Sequence, residues 1–296
     1  MLTLPKIDPS KPVLIAGPTA SGKSGLAMQI AAEFDGVIVN ADALQVYDNW
    51  RVLTARPSLQ DEGMFEHALY GHVSKDQGYS VGEWLRDLRP ILTNAASKLP
   101  IIVGGTGLYF SSLTNGLADI PEVKDEVCKS AEDIFGSNGL GPFLQDLEQQ
   151  DAKTFNRIDR QNPSRVMRAW EVLKSTGQGL ADWQDNTPAP MLPLSETNAF
   201  VLEAPKEWLT PRIRQRFDQM LDQGALDECR DNLAGWDPKR PASRAIGAPE
   251  LMAHLRGELT LSEAIDAAEI ATRRYAKRQR SWFRARMKDW TWINTT

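Results

Sequence analysis

Residues 13–47 begin Val13-Leu14-Ile15-Ala16-Gly17-Pro18-Thr19-Ala20-Ser21-Gly22-Lys23-Ser24 and end Val37-Ile38-Val39-Asn40-Ala41-Asp42-Ala43-Leu44-Gln45-Val46-Tyr47. The first part carries the pattern G-x-x-x-x-G-K-S after an apolar run, Val13 to Ala16. Gly25 to Glu33 then has Leu26, Ala27, Ile30 and Ala31 at helical spacing. Asp35-Gly36 separates this helix from a second apolar run, Val37 to Val39. Strand, loop and helix in this order are the context a phosphate-binding loop needs, and residues 11–40 are predicted as β-α-β. The loop's backbone N–H groups and the helix N-terminus together form an anion site. In that motif Lys23 reaches an outer phosphate and the Ser24 hydroxyl can ligate Mg²⁺. A glycine-rich turn that binds nothing is the bland alternative, and the complete motif in its proper context argues against it.

Downstream, residues 48–80 are Gly-interrupted and predicted as loops with short elements. Val81 to Ser97 is predicted as a helix, and Pro100 leads into a strand, Ile101 to Val103. Gly104-Gly105-Thr106-Gly107 follows at once, which is where an open α/β sheet builds its site. Pro121 marks a change: residues 122–182 hold no convincing strand and have apolar residues at helical spacing. Within them Asn162-Pro163-Ser164 starts a helix, with Ser164 a candidate N-cap, running to about Lys174 and stopping near Gly177. The Pro-rich stretch Thr187 to Pro193 is read as an exit linker. Asn198 to Glu203 returns as a strand, followed by helices from Pro211 to about Leu233 and from Ala248 to about Lys288. The expected fold is α/β: a P-loop NTPase-like parallel sheet with helices on both faces, over residues 1–118 and 192–296, interrupted by an all-helical insertion over 119–191.

The 296-residue chain is 42% hydrophobic and 25% charged, ordinary values for a soluble globular protein. No apolar run approaches a membrane span and the first residues lack the apolar core of a secretory leader, so no membrane association is expected. Two cysteines, Cys128 and Cys229, make no disulfide framework, and a reducing cytoplasm is expected. His67, His72 and His254 are scattered, without zinc-ligand spacing. Net charge is −5, yet Ile270 to Lys288 holds Arg273, Arg274, Lys277, Arg278, Arg280, Arg284, Arg286 and Lys288 with no acid among them. A local basic stripe on an acidic chain points to a polyanionic partner. Arg273, Lys277, Arg280 and Arg284 share helical spacing and suit phosphate tracking. Trp282 and Phe283 are assigned to the core.

Phosphate-loop enzymes usually carry an acid at a strand end to help hold Mg²⁺. Here the strand Ile101 to Val103 ends in glycine, and the acid is Asp42, after the other strand. If the strands are parallel, that carboxylate stands beside the bound phosphates. It is a metal ligand or a general base, and spacing alone leaves both open.

Taken in order, Gly17 to Ser24, Asp42 to Tyr47, Thr54-Ala55-Arg56-Pro57, Gly104 to Tyr109, Asn162 to Ala169, Arg212 to Phe217, Ala245-Ile246-Gly247, Thr272 to Gln279 and Trp282-Phe283-Arg284 resemble the bacterial tRNA dimethylallyltransferases. The resemblance covers almost the whole chain. It implies transfer of a dimethylallyl group from dimethylallyl diphosphate to the N6 amine of the adenosine 3′ of the anticodon, in tRNAs reading codons that begin with U. On that resemblance Asp42 is the general base, and Thr19, Lys23, Ser24 and Arg216 hold the diphosphate, with Mg²⁺ as cofactor. Thr106 is a contact near the target base, the alternative being a turn residue satisfying backbone. The tRNA anticodon stem-loop is carried over to Asp42, Ala43, Leu44, Gln45 and Thr106, to Ser164, Arg165, Val166, Met167 and Arg168, and to Arg244, Ile246 and Gly247. A monomer is expected. Three departures stand out: Ala43 where the family has Ser, Leu53 where it has Gly, and Ala248-Pro249 where Tyr is common. The rival readings are a nucleotide or nucleoside kinase and an RNA-stimulated NTPase, both using ATP on the same loop.

Overall fold

A computed structural model of the chain describes residues 4–94 and 98–295. Among these, β1 (Val13–Ala16), β2 (Gly36–Asn40), β3 (His67–Ala68), β4 (Leu99–Gly104), β5 (Asn198–Glu203) and β6 (Thr291–Asn294) form one wholly parallel sheet in the order β3-β2-β4-β1-β5-β6. The two central strands, β1 and β4, are apolar at every position because both faces are covered. Val13, Ile15, Ile38, Ile101 and Val103 face the helix Lys23–Phe34 through Leu26, Ala27 and Ile30. Leu14, Ala16, Val37, Val39 and Ile102 face Trp84 and Leu88 of the helix Val81–Thr93, with Tyr109, Phe110 and Phe283. Phe283 is core, as the sequence predicts, and Trp282 is partly buried against the same cluster.

The chain forms two compact units, Met1–Thr114 with Met191–Thr296, and Asn115–Pro190. The second is helical throughout its described elements. Its core is Ala131, Phe143, Leu147, Val166, Ala169, Trp170 and Leu173. Trp170 keeps its indole N–H satisfied on Asp146, at 2.8 Å.

Several boundaries differ from the sequence reading. The helix Pro163–Thr176 is capped by Asn162, whose side chain accepts the Arg165 N–H, so Ser164 lies inside the first turn and is not the cap. Pro163 sits at the first helical position, where its missing N–H costs nothing. The helix expected over 211–233 is two, Lys206–Asp222 and Ala225–Leu233, parted at Gly224 with φ +96°. The helix expected over 248–288 is also two, Ala248–Leu255 and Leu261–Arg286, parted around Gly257 with φ +77°. A left-handed residue cannot continue a right-handed helix. The helix from Val81 ends at Thr93, and the tail of its expected range, Ala95 to Ser97, lies outside the described residues. The strand β6 was not anticipated.

Candidate phosphate and carboxylate site

In register, Ala16 of β1 stands opposite Gly104 of β4, and Asn40 of β2 opposite Val103 of β4. The three segments that leave these carboxyl ends therefore meet at one edge of the sheet: Gly17 to Ser24, Ala41 to Gln45, and Gly105 to Gly107. That edge is where parallel α/β sheets bind ligands.

The first segment folds as an anion cradle. Ala20 (φ +62°) and Gly22 (φ +88°) take left-handed backbone conformations in the turn that leads into the helix Lys23–Phe34. A left-handed alanine is locally unfavourable, and strain of this kind clusters at ligand clamps. Gly17 and Pro18 are buried, and Ser21 is 1% exposed with its hydroxyl unpartnered. Ser24 is exposed on the first helical turn.

The second segment is held as a tight turn. Asn40 accepts the Asp42 N–H at 2.8 Å, and its amide donates to the Asp42 carbonyl at 3.0 Å. One carboxylate oxygen of Asp42, Oδ1, accepts the Leu44 N–H at 3.0 Å. The other, Oδ2, stands 3.2 Å from where a Cβ on Gly105 would lie. The third segment approaches so closely that a Cβ on Gly104 would sit 2.0 Å from the Ala41 carbonyl oxygen, so only glycine fits. Thr106 Oγ1 accepts the Ala43 N–H at 2.9 Å. That hydroxyl thus braces the Asp42 turn and retains its own proton to donate.

Two cations face this carboxylate. Lys23 makes one long contact, 3.4 Å to the Pro18 carbonyl. Arg216 comes from the helix Lys206–Asp222, whose Ile213 and Phe217 anchor it in apolar packing. Burial pushes the Lys23 ammonium down to about 8, neighbouring Arg216 adds to the shift, and Asp42 opposes it. Burial also lowers Arg216, again opposed by Asp42. Two desolvated cations with a single carboxylate between them are short of one negative charge, which an anionic ligand would supply.

A cavity of about 80 Å³ opens between them. Thr19, Lys23, Asp42, Gln45, Thr54 and Arg216 form its polar side, and Leu44, Leu53, Ile213, Phe217, Met220 and Ile246 an apolar wall. Leu53, one of the departures, is buried and narrows that wall beside Phe217. Gln45 ties the two halves together, donating to the Thr54 and Ala55 carbonyls at 2.8 and 3.1 Å. Sequence reasoning missed three contributors. Tyr275 lines the cavity. Glu228 accepts three backbone N–H groups, of Arg51, Val52 and Leu53, and so holds the 51–54 turn against the cavity. Gln279 joins two of the site's loops.

The remaining sequence candidates are distributed as follows. Ile246 lines the cavity, Arg244 is exposed, and Gly247 is buried at φ +97° against Phe217. Pro249, the third departure, sits in the first turn of the helix Ala248–Leu255, where proline is favoured. Ser164, Arg165 and Arg168 are exposed on the helix Pro163–Thr176 of the other unit. Val166, carried over as a contact, is fully buried in that unit's core, and Met167 packs partly against it. Arg273, Lys277 and Arg284 are exposed along the helix Leu261–Arg286, and Arg280 is half-buried.

The fold and this edge of the sheet define the P-loop class of phosphate-binding α/β proteins, here with a carboxylate beside the phosphate cradle. The IPP transferase family model matches residues 45–286. Two curated tRNA dimethylallyltransferases extend the likeness across the loop as well. That of Dinoroseobacter shibae is 59% identical, covering 97% of this chain and 96% of its own. That of Cereibacter sphaeroides is 58% identical, covering 96% of each. The chain belongs to the IPP transferase family. Among solved structures, the tRNA isopentenylpyrophosphate transferase of Bacillus halodurans is 29% identical with a TM-score of 0.68, over 97% of this chain and 90% of that one. A eukaryotic dimethylallyltransferase acting on tRNA is 25% identical with a TM-score of 0.84, over 97% of this chain and 74% of that one.

Proposed function

We propose that this chain transfers a dimethylallyl group from dimethylallyl diphosphate to the N6 amine of the adenosine 3′ of the anticodon, in tRNAs reading U-starting codons. The carrying observation is the juxtaposition of Lys23 and Arg216, short of one anion, with Asp42 and an apolar wall in one cavity. A nucleotide alone would use the cations and leave the wall without a partner, so the kinase and NTPase readings account for less of the site. In the proposed reaction N6 attacks C1 of the dimethylallyl group. The C1–O bond breaks, the diphosphate leaves onto Thr19, Lys23 and Arg216, and the N6 proton passes to Asp42. The apolar wall of Leu53, Ile213, Phe217 and Met220 receives the five-carbon group and excludes water from a reactive allylic centre.

The donors fit Mg²⁺. Among the described residues no three His, Cys, Asp or Glu side chains cluster to form a cage. Mg²⁺ needs none, being held by one or two protein oxygens together with substrate phosphates and water. Ser24 Oγ, with Asp42 near the same cradle, supplies such oxygens. When bound, the ion would neutralise part of the diphosphate charge.

For the tRNA, the target base must leave the anticodon-loop stack to reach a recessed carboxylate. Ser164, Arg165 and Arg168 on one helix, Arg244 at the end of the short 3-10 turn Pro241–Arg244, and the stripe Arg273, Lys277 and Arg284 present hydroxyl and guanidinium or ammonium groups to phosphate. Arg165→Ala with Arg168→Ala is expected to weaken tRNA binding and reduce the magnitude of the slope of log affinity against log salt by about 1 per lost contact. Diphosphate binding is expected to be unchanged. Salt titrations by filter binding check both. Among the described residues no helix is long and apolar enough to cross a membrane, and the chain is proposed to act as a cytoplasmic monomer.

The direct test is transfer of label from dimethylallyl diphosphate, with Mg²⁺, into an unmodified tRNA carrying adenosine at the target position, beside one carrying guanosine. Label in the adenosine tRNA alone is expected. No label in either, with ATP consumed instead, would overturn the proposal.

A further inference from the structure

The buried side chain of Gln279 has one amide and two loops to hold with it. Its Oε1 accepts the Thr19 N–H of the phosphate cradle at 2.9 Å. Its Nε2 donates to the Gly105 carbonyl at 2.9 Å. Gly105 directly precedes Thr106, which braces the Asp42 turn through the Ala43 N–H. The approach leaves no slack: a Cβ on Gly105 would sit 2.2 Å from Gln279 Nε2. Asp42 Oδ2 is the next atom from that same point, at 3.2 Å. Gln279 belongs to the helix Leu261–Arg286, pinned on its buried side by Ala276 and Phe283 and beside Gly107 by Trp282.

We propose that Gln279 is a positioning residue for group transfer, one amide that fixes the distance between the cradle of the leaving diphosphate and the turn that carries the proton acceptor. This rests on the functional reading above. Thr19 lies on the loop that holds the electrophile, and Asp42 and Thr106 lie where the nucleophile must arrive. No backbone hydrogen bond joins Thr19 to Gly105, and their strands end without a shared turn. The amide is the connection, and only an amide both donates and accepts at the required two points. Bond formation at C1 needs attacking nitrogen and leaving oxygen in line at near-contact distance, so an error of about 1 Å between the two loops costs about a hundredfold in rate. Each substrate would still bind, because neither the two cations nor the apolar wall depends on Gln279.

The same helix exposes Arg273, Arg274, Lys277 and Arg278 on its outer side. The residue that aligns the two loops is therefore carried by the element proposed to track tRNA phosphates.

Two variants test the assignment against the plain alternative of a buried glutamine that merely stabilises the fold. Gln279→Met keeps length and volume but removes both loop hydrogen bonds, together with the contact to Tyr275. Its kcat is expected to fall by about 10- to 100-fold, with the KM of each substrate within about threefold and titrated inorganic diphosphate binding unchanged. Gln279→Glu keeps the acceptor for Thr19 but loses the donor and adds a negative charge near Asp42. Its kcat is expected to fall as in Gln279→Met, with KM again little changed, because the Gly105 carbonyl loses its donor. A stabilising role alone would lower the melting temperature and leave kcat per folded molecule in place. Wild-type kcat in Gln279→Met, or loss of diphosphate affinity with kcat retained at saturation, overturns the proposal. If Gln279→Met does not fold, full kcat in Gln279→Glu overturns it. Absence of transfer by the wild-type protein in the same assay overturns the functional reading instead.

Discussion

Asp42→Asn is expected to lower turnover by about 10²- to 10⁴-fold while leaving the fold and tRNA affinity intact. The amide retains an oxygen to accept the Leu44 N–H, so the turn from Asn40 to Leu44 keeps its geometry. What is lost is the capacity to take a proton. The exocyclic amine of adenine is a weak nucleophile whose N–H becomes acidic as the new C–N bond forms. A carboxylate within hydrogen-bond reach lowers the barrier by accepting that proton as it is released. A metal-ligand role predicts a different pattern: Asp42→Asn would then raise the Mg²⁺ concentration needed for half-maximal rate, and saturating Mg²⁺ would restore kcat. Initial rates across an Mg²⁺ series therefore separate the two roles that spacing left open. Recovery of kcat at high Mg²⁺ would remove the base assignment.

The core of the site was legible in the sequence because it is local. Gly17 to Ser24 follows its strand and precedes its helix without interruption, and Asp42 lies two residues beyond β2. Gly104-Gly105 also announced itself, since two glycines straight after an apolar strand mark close backbone approach, here to Ala41 and to Gln279. What stayed hidden depends on long-range contact. Gln279 bonds across 260 and 174 residues, and nothing in its neighbourhood separates it from the basic stripe around it. Glu228 reads as one more acid on a surface helix until the 51–53 turn is placed over it. The strand β6 is four residues long and largely open on its outer side, so it lacked the apolar run that marked β1, β2 and β4; pairing with β5 makes it a strand. The helix breaks at Gly224 and Gly257 were masked because apolar spacing runs on through both, and a single glycine in a helical pattern does not by itself end a helix. At the start of Pro163–Thr176 both Asn162 and Ser164 are good caps, and the proline between them decided for the residue before it.

Lys23→Met is expected to weaken binding of dimethylallyl diphosphate by about 10- to 100-fold and to lower kcat further, since a charge-assisted hydrogen bond contributes about 1.5–3 kcal/mol and the charge on the leaving oxygen grows in the transition state. Arg216→Met should act in the same direction, with one difference. In the ligand-free protein Arg216 helps hold Lys23 down at about 8, so removing Arg216 lets the Lys23 pKa rise. The two cations therefore separate by pH. Wild-type affinity for the diphosphate is expected to be highest below pH 8, where Lys23 is charged, and to fall as pH rises through about 8. In Arg216→Met the affinity is lower throughout, but its decline begins at higher pH. Stability of the ligand-free protein runs the other way. The folded-state pKa of Lys23 lies below its unfolded value, so between about 8 and the usual lysine value of 10.5 the unfolded chain binds more protons and stability from this group increases with pH. The increase in melting temperature produced by diphosphate should accordingly shrink across that window, because the ligand-free state gains stability while the ligand loses its cation. Isothermal titration and thermal unfolding between pH 7 and 10, on wild-type and both variants, measure the two trends together. An affinity flat across that range in the wild-type protein would mean that Lys23 stays charged throughout, and that its ammonium is compensated in the empty site by something other than Asp42.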